Sequence, residues 1–213
     1  ASSSVQFLIL GFCMGICQGF AIMVSQSYGA KRPDEMHTYI YAGAVWTAIT
    51  AFVVSIFVVV FCADILHILQ VNDEIFNDAY AYLVVIFLGI PFTLLYNYLS
   101  AILRAIGDSK TPFFFLAFSA FLNIGLDFFC ILVLKWGCAG AAIAAIFAQA
   151  VSGILCLLLI AFKVNILHIP KSSRYVDKQH SLKLLAVGVP MGLQFSITAI
   201  GSMVMQSANN DLG

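Results

Sequence analysis

The chain has 213 residues, 62% of them hydrophobic and only 9% charged, with a mean hydropathy of +1.01. A soluble domain carries about a quarter charged residues and under half apolar ones. This composition therefore excludes a water-covered surface and suits one that faces lipid. Ten Lys and Arg balance ten Asp and Glu, which excludes a basic nucleic-acid footprint and an acidic disordered tail.

Six stretches are free, or nearly free, of charge: residues 1–30, 36–63, 79–103, 111–134, 136–162 and 184–210. Each exceeds the roughly 20 helical residues that span a hydrocarbon core of about 30 Å. Open strands cannot sit in lipid, and barrel strands are about ten residues long with period-two alternation. The expected fold is all-α: a polytopic transmembrane helix bundle with six spans. The first run lacks a basic n-region and is too long for a signal peptide. The chain opens at Ala1 on a span and stops at Leu212-Gly213 just after another, so it reads as a piece of a larger membrane protein. Cys13, Cys17, Cys62, Cys130 and Cys156 lie in or beside apolar runs and read as small hydrophobes, not a disulfide framework.

Lys and Arg set the expected orientation. Turns 28–37 and 104–111 and the segment 163–183 together hold nine of them, against Lys135 alone on the other side. The positive-inside rule makes those three connections cytoplasmic. The loop 64–78 carries Asp64, Asp73, Glu74 and Asp78 with no base and is expected outside.

Within the spans, Gly11, Gly15 and Gly19 form a stripe in span one, and Gly137, Ala141 and Ala145 form another in span five; both predict close helix packing. Pro91 in span three and Pro190 in span six each remove a backbone donor and can kink the helix, or be tolerated where neighbours repair the ladder. Polar residues recur on single faces. Span three carries Thr93, Asn97, Ser100 and Arg104, and span four carries Ser119, Asn123 and Asp127. Span six carries Gln194, Thr198, Ser202 and Gln206. Gln18 and Gln149 add two further amides. Each amide alone reads as glue between helices. As a set, Gln18, Asn97, Gln149, Gln194 and Thr198 predict a polar inner cavity.

Asp127 is the one acid inside any span. A charge at mid-bilayer costs about 3 kcal/mol on insertion scales, and no Lys or Arg shares its span. The carboxylate must be protonated, bind a cation or face water. Asn123, one turn away, can offer an amide oxygen to the same ion. One carboxylate and neutral oxygens suit Na⁺ or H⁺, not a Zn²⁺ site. Fifteen residues from Pro112 place Asp127 about 22 Å along its helix, in the outer half, which predicts a site reached from outside. His37, His67, His168 and His180 sit in loops or at span edges without an H-E-x-x-H pattern and read as solvated interfacial residues. No G-x-S-x-G or P-loop occurs, so an enzyme is not expected, and no cofactor is.

Several segments carry a family pattern. Ser25-Gln26-x-x-Gly29-Ala30-Lys31 closes span one. Arg104-Ala105-Ile106-Gly107-Asp108-Ser109-Lys110-Thr111-Pro112 joins spans three and four. Asn123-x-x-x-Asp127 lies in span four. Trp136-Gly137-x-Ala139-Gly140-Ala141-Ala142, then Ala148-Gln149, opens span five. Over essentially its whole length the chain resembles the multidrug and toxin extrusion (MATE) family of secondary transporters. The resemblance implies family helices two to seven of a two-lobe, twelve-helix transporter. Residues 1–162 would be five helices of the first lobe, 163–183 the cytoplasmic connector, and 184–213 the first helix of the second lobe. It also implies a monomer in the plasma membrane that exports cationic or amphipathic compounds in exchange for Na⁺ or H⁺. Asn123 and Asp127 match the family's coupling positions, while its Asp on helix one has no counterpart here. Ala145 stands where many members carry Thr, one oxygen ligand fewer. Locally, Gly107 suits a helix C-cap, Pro112 the N1 position of the next helix, and Arg104 a pair with Asp108. Two other readings are a lipid-linked oligosaccharide flippase of the same superfamily, which would line its cavity with bases, and a structural membrane subunit that transports nothing.

Overall fold

The computed structural model describes residues 2–68, 73–133, 135, 137–163, 169–170 and 175–212, and no strand occurs among them. The helices are α1 (Ser2–Gly29), α2 (Pro33–Val60), α3 (Cys62–Ile68), α4 (Asp73–Leu88), α5 (Ile90–Ala105), α6 (Lys110–Phe128), α7 (Gly137–Lys163) and α8 (Lys178–Leu212). A π-helical turn, Phe129–Val133, continues α6. Five helical stretches are long and apolar enough to cross a membrane: Leu8–Gly29, Pro33–Val60, Lys110–Val133, Gly140–Phe162 and Lys178–Leu212. The bent pair α4 and α5 makes a sixth when counted as one crossing. The chain is an all-α integral membrane bundle.

The third expected span is thus two helices, meeting at 47°. Pro91 lies in the first turn of α5 and has no N–H for the carbonyl of Phe87. Ser55 repairs the loss from α2: its hydroxyl donates to Phe87 O at 2.7 Å. Gly89 between the two helices donates its N–H to Val85 O and Ile86 O, and a Cβ there would overlap the Ile146 side chain. Pro190 behaves differently, because α8 runs through it as one helix. Part of the expected outer loop is also helical, as α3 and the start of α4.

α1 occupies the centre, packed on α8, α2 and α5 and touching α4. Phe20, Val24, Met36, Tyr39, Phe87, Leu94 and Leu103 fill this core. The glycine stripe of α1 does meet another helix, and that helix is α8. A Cβ on Gly15 would lie 2.5 Å from Gly192 Cα, and one on Gly19 would lie 2.5 Å from Gly188 Cα. Gly188 and Gly192 have the same four-residue spacing, which is present in the sequence but does not stand out there. Further links hold α8 in place. Trp46 Nε1 donates to Ser181 Oγ at 2.8 Å, and Ser196 Oγ donates to Leu8 O at 3.3 Å.

The connector departs from expectation at its end, where α8 begins at Lys178 and not after residue 183. Asp177 caps this helix: its Oδ1 accepts the backbone N–H of His180 at 2.9 Å and lies 2.6 Å from His180 Nδ1. Those contacts hold the Asp177 carboxyl below its usual range. His180 also packs edge-on against Tyr39, so it is not the solvated residue expected from sequence. His168, and Lys171 and Arg174 of the connector, lie outside the described residues.

The turn between α5 and α6 follows its sequence closely. Gly107 takes φ +90, Asp108 N–H donates to Leu103 O, and Gly107 N–H donates to Arg104 O. This is a Schellman closure, which needs a residue without a Cβ at that φ. Two details differ. Pro112 is the third residue of α6, not the first, though still within the turn whose N–H groups lack helical partners. Asp108 does not pair with Arg104; it accepts Thr111 N–H at 3.1 Å and Thr111 Oγ1 at 2.7 Å, fastening the start of α6. The five described cysteines are buried and free.

Candidate functional site

α6 packs chiefly on α7 and lightly on α5. Only Pro112 and Ser119 are buried on it, while Phe113, Phe114, Phe121 and Phe128 are exposed. The polar line Ser119, Asn123, Asp127 therefore runs from the packed face to its edge: Ser119 is buried, and the other two are half-buried. Among the described residues Asp127 Oδ1 is shut from the surface and has no hydrogen-bond partner, Asn123 included. Asp127 also borders an open groove of about 350 Å³ with Ile124, Phe128, Ile131 and Leu132, all four of them exposed. A buried carboxyl oxygen with spare lone pairs and no partner can take a proton or accept a small cation. Directly after it the helix changes to the π-helical turn, a distortion that occurs frequently at functional sites. Among the described residues no group of three or more His, Cys, Asp or Glu could hold a metal ion.

The five expected cavity residues are spread over four helices. Among the described residues the buried Oε1 of Gln149 on α7 has no hydrogen-bond partner, nor has the buried Oγ of Ser152 on the same helix. Ser152 does not stand out in the sequence because serine in a helix most often bonds its own backbone. Gln18 on α1 is half-buried. Asn97 on α5 commits its Nδ2 to Thr93 O at 2.9 Å, a bond within its own helix. Thr198 on α8 does the same with Gln194 O at 2.9 Å, and both are exposed. α8 packs on α1 and α2, whereas α6 packs on α7 and α5, so the α8 pair and Asp127 stand on helices without a packing interface.

A bundle of long apolar helices with a broken crossing and a half-buried intramembrane carboxyl belongs to the architecture of polytopic transport proteins. Residues 1–129 match the MatE family, and the chain belongs to that family, multidrug and toxin extrusion. It is 32% identical over 215 aligned residues to "Probable multidrug resistance protein YpnP" of Bacillus subtilis (strain 168), covering 100% of this chain and 47% of that protein. It is 27% identical to "Probable multidrug resistance protein YoeA" of the same organism, over 97% of this chain and 46% of that one. The chain thus spans about half the length of these relatives. Its fold matches the outward-facing conformation of a multidrug resistance MATE family transporter of the MOP superfamily. The TM-score is 0.89 at 20% identity, over 97% of this chain and 46% of that one.

Proposed function

We propose that this chain forms part of a secondary active exporter in the plasma membrane, which moves cationic or amphipathic compounds outward against Na⁺ or H⁺. In this reading residues 1–162 belong to one lobe, 163–183 connect the lobes, and the rest of α8 opens the second. The whole protein works as a monomer. The observation that carries the coupling role is the buried Oδ1 of Asp127, which has no hydrogen-bond partner among the described residues. An ionised carboxylate there costs about 3 kcal/mol, and an arriving cation or proton removes that cost. The ion would bind Asp127 with the amide oxygen of Asn123 nearby, and α6 would repack at the π-turn. A neutralised site attracts a cationic compound less, which favours its release. Gln18, Asn97, Gln149, Gln194 and Thr198 would line the path of the exported compound.

The test is ethidium efflux from proteoliposomes holding the full-length protein, driven by imposed Na⁺ or pH gradients. Asp127→Asn should lower gradient-driven efflux by about tenfold or more, since it removes the ionisable group of the site, while leaving the protein monodisperse. Unchanged efflux rejects the coupling role. Whichever gradient alone drives the native protein identifies the ion.

A further inference from the structure

His180 stands in the first turn of α8, at the end that the distribution of Lys and Arg makes cytoplasmic. Its side chain is 15% exposed, and its Nδ1 lies 2.6 Å from Asp177 Oδ1. Across the junction its ring stands T-shaped to that of Tyr39 on α2, with centroids 4.9 Å apart, and Tyr39 is buried. The Tyr175 ring lies on another side, at 6.0 Å. The next residue, Ser181, accepts the Trp46 N–H, a second tie between the same two helices. Asp177 and His180 belong to one segment, so their contact fixes the aim of the imidazole, and the imidazole in turn meets α2.

Histidine is the side chain whose ordinary charge change falls between about pH 5 and 8. The carboxyl in contact with this one is held below its usual range by the His180 N–H and ring, so it stays ionised throughout that interval. From α2, Glu35 is close enough to Tyr39 to act on it electrostatically, as is Asp177. Glu35 pairs with the exposed Arg32, and Asp34 and His37 share that end of α2. α1, the other helix packed on α8, has no Asp, Glu, Lys, Arg or His. Lys178 and Lys183 of α8 are exposed.

From this we infer that His180 is a pH-sensitive fastener of the α2–α8 junction: a proton on its ring tightens the hold of α8 on α2, and loss of that proton loosens it. With the proton, the contact to Asp177 becomes a charge-assisted bond, roughly twice as strong as a neutral one. Both tyrosine rings also lie within the about 6 Å at which aromatic faces attract a cation. The partial positive charge at the start of α8 opposes the proton, and Asp177 offsets it by accepting the His180 N–H. The fastening is therefore complete in mild acid and weakens as pH rises. It is separate from Asp127, whose helix packs on α7 and α5.

The test is hydrogen–deuterium exchange of the full-length protein in nanodiscs, with protection factors corrected for the intrinsic effect of pH on exchange. Between about pH 5 and 8, protection of amides 181–186 should fall about fivefold, the difference between a charged and a neutral hydrogen bond. Protection of Ile102 and Leu103 in the core should stay constant. His180→Gln should abolish the fall. Asp177→Asn, which keeps a capping side chain, should reduce it to about twofold or less. Asp127→Asn should leave it intact. A flat profile in the native protein overturns the proposal. So does a full fall in a folded His180→Gln protein, which would assign the titration to another group such as His37. A fall abolished by Asp127→Asn also overturns it, since the response would then belong to the coupling site. Should His180→Gln not fold, an undiminished fall in Asp177→Asn decides against the fastener. Efflux is not read, so failure of the transport reading leaves the result standing.

Discussion

The break at Gly89 rests on one hydrogen bond that can be removed from either side. Ser55 is 6% exposed, and its hydroxyl supplies the donor that Pro91 withholds from Phe87 O, at 2.7 Å. Ser55→Ala leaves that carbonyl in hydrocarbon without a partner. Hydrogen bonds between membrane helices are worth about 0.6 kcal/mol on average and at most about 1.7, while a stranded buried polar group costs about 1–3 kcal/mol. The expected loss is therefore about 1–2 kcal/mol. Pro91→Ala restores a backbone N–H that can reach Phe87 O by straightening the helix. In that background Ser55→Ala should cost about 0.5 kcal/mol or less, for a coupling of about 1 kcal/mol. The native protein, the two single variants and the double variant can be compared by SDS titration in bicelles, followed by circular dichroism. A cost of Ser55→Ala that is the same with Pro91 intact and in the Pro91→Ala background would refute the reasoning, since the serine would then not be replacing the missing donor.

Two further expectations use the same assay. Gly19→Ala should destabilise by about 1–3 kcal/mol, because the new Cβ meets Gly188 backbone atoms at 2.5 and 2.9 Å. Gly11→Ala should be tolerated, its nearest contact being 3.7 Å; equal effects would show that α1 and α8 do not meet at that seam. Burial alone would raise the Asp108 carboxyl, but the Thr111 hydroxyl, the backbone N–H groups of Thr111 and Lys110 and the Lys110 charge together bring it below 3.8. A carboxyl lowered on folding contributes fully above that ordinary value and loses its contribution as pH falls through the lowered one. Asp108→Ala should thus cost about 1 kcal/mol at neutral pH and nothing in strong acid. A difference that persists unchanged into acid would contradict the assigned cap.

The spans were legible because twenty apolar residues in lipid have few folds available, and the turn at Gly107 because one backbone angle demands one residue. The two prolines were not distinguishable in sequence, since each has the same missing donor. What separates them is tertiary. Pro91 faces a helix carrying Ser55, whose hydroxyl takes up the freed carbonyl of Phe87. Pro190 lies between Gly188 and Gly192, which pack against Phe20 and Phe12 of α1 and hold α8 in line. The face of Asp127 was readable from a four-residue period. The bareness of its oxygen was not, because that depends on what α7 and the π-turn leave beside it.

The seam between Gly15–Gly19 and Gly188–Gly192 has a consequence for how the chain is made. Its two halves leave the ribosome about 170 residues apart, an interval of roughly 10–30 s at typical synthesis rates. During that time the narrow face of α1 has no mate. Its backbone bonds are already closed within the helix, so the wait exposes shape and not unsatisfied polarity. Lipid tails can fill such a groove and then leave it, and α8 therefore arrives at a surface that is vacant without being damaged.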